Sequence, residues 1–131
     1  MIADSSTVDR QTLSRRLAAE GFEVIQAQDG AEAVSAVRCH QPGLVILNTS
    51  FPPDVGHGGG AFGDAFLVID WLKRMEEAEG IGIILITSEE ASSLKDRARA
   101  SGALGLFQKP VNQEALLDLV HRLLNPAPPP E

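Results

Sequence analysis

The chain has 131 residues, 44% of them hydrophobic, and a net charge of −7. That length suits one domain, and the apolar content supplies a core that disordered sequences lack. The acidic balance and the scattered basic residues argue against a sequence-independent nucleic-acid footprint, which needs a basic stripe. A single cysteine, Cys39, leaves no internal disulfide and suits a reducing compartment. No apolar run reaches membrane-spanning length and the N-terminus has no signal-peptide pattern, so the cytoplasm is the expected setting.

Strand-like and helix-like segments alternate along the chain. Residues 1–3 are a short apolar start, and with only three residues before Asp4 the first strand is expected to be short. Residues 6–20 read as a helix with Ser6 as N-cap, Asp9 at the capping-box position, Leu13 and Leu17 on one face, and Gly21 as the stop. Residues 22–27 read as a strand. Residues 29–40 read as a helix with Val34 and Val37 inward, broken by Pro42-Gly43. LVILN, residues 44–48, is the third strand. Residues 64–78 carry Ala65, Val68, Ile69, Leu72 and Met75 at helical spacing. Residues 81–87 form a continuous apolar strand. Residues 89–101 make a helix with a thin apolar face of Ala91, Leu94 and Ala98, and residues 104–108 a fifth strand. Asn112 caps a last helix whose Leu116, Leu119, Val120 and Leu123 form a clean stripe. The domain is expected to span 1–124, with the proline-rich NPAPPPE, residues 125–131, as a linker or tail.

Repeated strand–helix units imply an α/β fold with a parallel sheet covered on both faces. Right-handed crossovers favour a doubly wound five-stranded sheet in the order 2-1-3-4-5, with five helices. In such sheets the site lies beyond the carboxyl ends of the strands. The predicted strand ends there are Asp4, Asn48, Thr87 and Lys109. An acid, an amide, a hydroxyl and an amine on one rim define a pocket.

Together with IADSS, GFEVIQAQDGAEAV, PGLVILN, IILITS and GALGLFQKP in this order, the constellation resembles the receiver domain of two-component response regulators, over residues 1 to about 124. The resemblance implies a flavodoxin-like fold. It also implies a phosphorelay in which a strand-3 aspartate takes a phosphoryl group from a histidine kinase. Paired acids after strand 1 would hold Mg²⁺, and a strand-4 hydroxyl and a strand-5 lysine would bind phosphoryl oxygens. Asp4, Thr87 and Lys109 match these positions. Ser5 stands in place of the second acid, and Asn48 in place of the acceptor aspartate. Leu106 stands where many members carry a Tyr or Phe that moves on activation, and Phe107 is expected on the opposite strand face.

An amide has no anionic oxygen for attack on phosphorus, so Asn48 is expected to form no acyl phosphate. Mg²⁺ binding is expected to be weak or absent, since Asp4 is the only family carboxylate remaining. Two carboxylates ~4 Å apart repel by roughly 4 kcal/mol at an effective dielectric near ~20. Here Asp4 is instead expected to pair with Lys109, with Asn48 in the same polar network. The expected function is a degenerate receiver, a pseudo-receiver: a non-enzymatic protein-interaction module without a cofactor. Partners would be a histidine kinase, an output domain or a second copy of the chain. They would dock on the helix 4–strand 5–helix 5 face or on the 54–64 loop, with no nucleic acid and no membrane involved. Two alternatives are a receiver phosphorylated at Asp54, Thr49 or Ser50, and a flavin- or nucleotide-binding domain of the same fold.

Between Asn48 and Thr87 lie about nine residues more than the family usually has, falling in DVGHGGGAFGD, residues 54–64. This segment is expected to act as a lid or a partner-binding loop. His57 reads as a solvated loop residue, Gly58–Gly60 as flexibility, Cys39 as an inert helix residue, and His121 as lying on the polar side of the last helix.

Overall fold

A computed structural model describes residues 1–49 and 65–124. The expectations placed on residues 50, 54, 57–60 and 54–64, and on the tail 125–131, fall outside these residues. The elements are β1 (Ile2–Ala3), α1 (Thr7–Ala19), β2 (Gln26–Ala27), α2 (Gly30–His40), β3 (Leu44–Asn48), α3 (Ala65–Leu72), a 3₁₀ turn (Glu76–Ala78), β4 (Gly82–Thr87), α4 (Ala91–Ser101), β5 (Gly105–Gln108) and α5 (Gln113–Leu124). The sheet is five-stranded, with the order β2-β1-β3-β4-β5, and every pairing is parallel. This is the doubly wound flavodoxin-like fold expected from the alternation of elements.

Strand side chains alternate between two cores, as the pleat requires. Ile2, Leu44, Ile46, Ile84 and Ile86 pack with Leu13 and Leu17 of α1 and Leu116, Leu117 and Val120 of α5. Ala3, Val45, Leu47 and Leu85 pack with α2, α3 and α4 through residues such as Val37, Val68, Ile69 and Ala98. All five residues of β3 are buried, which is why the strand reads as an unbroken apolar run up to its last position.

Three elements differ from the sequence expectation. The strand expected at 22–27 pairs only through Gln26–Ala27, because its neighbour β1 offers two residues of ladder. Phe22 and Val24 still pack against the α1–α5 core without strand pairing. The helix expected over 64–78 ends at Leu72. The chain then tightens through i→i−3 bonds from Arg74 to Trp71 and from Met75 to Leu72. Met75 enters the core from extended backbone, so its helical spacing from Leu72 overstated the helix. α4 starts at Ala91, two residues later than expected, and ends on Gly102 with φ 88°, a conformation that favours glycine.

Helix α5 approaches the sheet closely over β5. A Cβ on Gly105 would lie 2.6 Å from Leu119 Cδ2 and 3.3 Å from Phe107 Cε2. No helix among the described residues is long and apolar enough to cross a membrane.

Candidate functional site

The carboxyl ends of four strands meet at one rim. Asp4 follows β1, and its amide donates to the Ala27 carbonyl of β2. Asn48 ends β3, opposite Ile86 of β4. Thr87 ends β4. Lys109 follows β5, and its amide donates to the Thr87 carbonyl at 2.7 Å. The Lys109–Pro110 peptide is cis.

Asp4 is 1% exposed. Its Oδ1 accepts the Ser6 amide at 3.0 Å and its Oδ2 accepts Lys109 Nζ at 2.7 Å. Arg10 of α1 donates through Nη1 to the Asp4 carbonyl at 2.8 Å and through Nε to Gln26 at 3.1 Å. The ion pair suggested by charge balance is therefore present, and the carboxylate that could face a cation has both oxygens engaged.

Lys109 has a second partner. Its Nζ also donates to Asp9 Oδ2 at 2.9 Å. Sequence patterning assigned Asp9 to a capping box, in which its side chain would turn back to the Ser6 amide. Only half of that motif forms. Ser6 Oγ accepts the Asp9 amide at 3.3 Å, but the Asp9 carboxylate reaches across to the lysine. The Ser6 amide goes to Asp4 instead. The Asp9 carboxyl is held below the usual carboxylate range, chiefly by the Lys109 hydrogen bond, against a smaller opposing effect of burial. Burial pulls the Lys109 ammonium down, but its bonds to Asp4 and Asp9 outweigh that and raise its pKa.

A second polar cluster involves Thr87, which is fully buried. Thr49 Oγ1 donates to Thr87 Oγ1 at 2.9 Å, and Thr87 Oγ1 also accepts the Glu89 amide at 3.0 Å. Gln108 of β5 accepts the Ala91 amide through Oε1 at 2.9 Å. It thereby caps α4, whose own N-cap residue, Glu90, makes no side-chain cap bond.

The rim thus brings Asp4 and Lys109 into contact and sets Asn48 and Thr87 on adjacent strands. Ser5 is exposed. Leu106 lies opposite Leu85 and packs against the α2–α3–α4 core, while Phe107 packs on the other face, as expected. Asp9, Arg10 and Gln108 join the site without having been assigned to it, and Thr49, named only as an alternative acceptor, joins it as the partner of Thr87. Asp9 and Arg10 had one available signal, polar residues in the first turn of the helix that follows a site-forming strand.

Mg²⁺ needs oxygen ligands in near-octahedral array, commonly with one or two carboxylates. The donors present do not fit it. Asp4 Oδ2 faces an ammonium at 2.7 Å, and neither Ser5 nor Asn48 contributes a carboxylate. Among the described residues no group of three or more His, Cys, Asp or Glu is placed to hold a metal ion.

A parallel five-stranded sheet in this order, with polar residues converging at its carboxyl rim, defines a doubly wound α/β domain with a candidate site at the switch point. The sequence pattern of the response regulator receiver domain matches residues 1–121, and the chain belongs to that family. It is 24% identical over 127 residues to the polar-differentiation response regulator DivK of Brucella ovis, covering 97% of this chain and 96% of that one. The chemotaxis protein CheY4 of Vibrio cholerae superposes with a TM-score of 0.78 at 28% identity, covering 94% of this chain and 95% of that one. A putative response regulator from Chloroflexus aurantiacus shares the fold with a TM-score of 0.80 at 22% identity, covering 94% and 93%. Receiver domains are signalling modules that interact with histidine kinases and output partners.

Proposed function

We propose that this receiver domain signals through protein contacts without phosphorylation at position 48. One observation carries the reading: the buried residue at the end of β3, where the family's acceptor carboxylate stands, is the amide Asn48. An amide offers phosphorus no anionic oxygen. The engagement of both Asp4 oxygens and the double engagement of Lys109 support the same reading, because the carboxylate that would hold a neutralising cation and the lysine that would meet phosphoryl oxygens already have partners within the chain. The domain is then a pseudo-receiver whose fold and docking faces are its function.

The docking face we favour is α4–β5–α5, with an output domain or a kinase as partner. Leu104 is 52% exposed there, beside an open groove of about 540 Å³ lined by Ala91, Lys95, Ala98, Leu104 and Leu106. Of the alternative acceptors, Thr49 is disfavoured by its burial and by its bond to Thr87. No observation favours a flavin or nucleotide.

The test is exposure of the 131-residue chain to acetyl phosphate and Mg²⁺, followed by intact mass and peptide mapping. The expected result is no phosphoryl adduct. An adduct on Asn48 or Asp4 would overturn the proposal, and one on Asp54, Ser50 or Thr49 would replace it with a receiver that uses a different acceptor.

A further inference from the structure

Lys109 spends two of its three N–H donors on carboxylates, Asp4 Oδ2 at 2.7 Å and Asp9 Oδ2 at 2.9 Å. The two carboxylates differ in setting. Asp4 is buried to 1% exposure and fixed by the Ser6 amide, whereas the Asp9 side chain is 45% exposed and arrives from the first turn of α1. Two negative charges on one ammonium leave this triad with a negative balance. Asp9 also lines the small cavity of about 180 Å³ beside Lys109, together with Thr12, Pro110, Val111 and Gln113.

From this geometry we infer that Asp9 is a built-in counter-anion that takes one of the Lys109 donors a free tetrahedral oxyanion would use, leaves the triad net negative, and so disfavours phosphate at the rim. This effect is separate from the loss of the acceptor at Asn48, because it acts on anion binding and not on bond formation. It rests on the reading that the pocket is internally satisfied. Its chemistry is simple exchange: the Asp9 carboxylate leaves Nζ, an inorganic oxyanion takes its place, and no covalent bond is made or broken. Asp9 suits this role because it can swing into solvent without unfolding α1. The N-cap bond to Ser6 uses the Asp9 amide, which Asp9→Asn keeps.

The experiment is a titration of the ¹⁵N-labelled chain with inorganic phosphate at constant ionic strength, read at the backbone amides of Thr87, Glu89 and Lys109. The unsubstituted protein, Asp9→Asn and Asp118→Asn are compared. Asp118 is an exposed acid on α5 outside the triad, so its substitution changes net charge equally. The expected result is saturable shifts at these amides in Asp9→Asn, with an affinity at least tenfold tighter than in the unsubstituted protein, and no gain in Asp118→Asn. Equal affinity in the unsubstituted protein and Asp9→Asn, no binding in either, or an equal gain in Asp118→Asn would each overturn the inference. Failure of the functional reading is distinguishable, because it would appear as a covalent adduct on the unsubstituted chain after acetyl phosphate treatment.

Discussion

The hydroxyls of Thr49 and Thr87 lie 2.9 Å apart in a buried environment, joining the end of β3 to the end of β4. Thr87 Oγ1 simultaneously accepts the Glu89 amide, so the bond fixes the entry into α4 as well. Replacing Thr87 with Val strands both the Thr49 hydroxyl and the Glu89 amide. A cost of ~1–3 kcal/mol is expected, since a buried polar group left unmade carries its desolvation penalty. Thr49→Val removes a single partner and should cost ~1 kcal/mol or less. Urea denaturation of the two variants checks the order. Amide exchange at Glu89 should accelerate in Thr87→Val more than in Thr49→Val, and the reverse order would refute the assignment of Thr87 as the shared node.

The Lys109–Asp9 bond predicts a pH profile. Asp9 has its folded-state pKa depressed, first by the Lys109 hydrogen bond, so its contribution is complete above the unfolded value near ~4 and disappears as pH falls through the lower folded value. Lys109 has its pKa raised by Asp4 and Asp9 despite burial, so its contribution is complete below ~10 and disappears as pH rises through the higher folded value. The stability difference between the unsubstituted protein and Asp9→Asn should therefore be flat across neutral pH and shrink below about pH 4. Urea midpoints measured at a series of pH values test this. A difference that grows on acidification would contradict the pairing.

Mg²⁺ affinity should follow the number of carboxylates restored to the rim. The unsubstituted chain, Asn48→Asp and the double substitution Asn48→Asp with Ser5→Asp are expected to bind in rising order, each acid adding about fivefold or more, because a hard dication is held by anionic oxygen. Isothermal titration with MgCl₂ provides the ranking. Equal affinity for all three would mean that the Lys109 pairing with Asp4, and not the missing acids, sets the metal response.

A Cβ on Gly105 would meet the flexible end of the partly buried Leu119, so Gly105→Ala should cost about 1 kcal/mol or less as that side chain turns aside. Shortening the partner should relieve it. Thermal melts of Gly105→Ala, Leu119→Ala and the double variant should show the double losing less than the sum of the singles. Simple additivity would indicate that the clash is absorbed elsewhere.

Much of this fold is legible in the residue order. The run LVILN gives β3 its bounds, Leu44–Asn48, because a strand buried on both faces tolerates no polar interruption before its end. The Leu116–Val120 stripe fixes which side of α5 meets the sheet, and Leu13 and Leu17 do the same for α1. Alternation of strand and helix, with handed crossovers, leaves few strand orders, and the observed one is among them. The rim residues Asp4, Asn48, Thr87 and Lys109 follow from that order alone.

What tertiary structure decided is where one side chain serves two plausible partners. Asp9 sits three residues after Ser6, and local spacing offers it the cap; only the fold brings an ammonium from 100 residues away to within 2.9 Å, and a charge-assisted bond then takes the carboxylate. Met75 lies at helical spacing from Leu72, and only the packed core pulls it in from extended backbone. Gln108 has nothing in its local sequence to mark it as the cap of α4, because cap and helix belong to different elements. Periodicity determined which faces of this protein are buried, since burial is set by local pattern. The partners of its polar groups were settled by proximity across the rim, which no local pattern encodes.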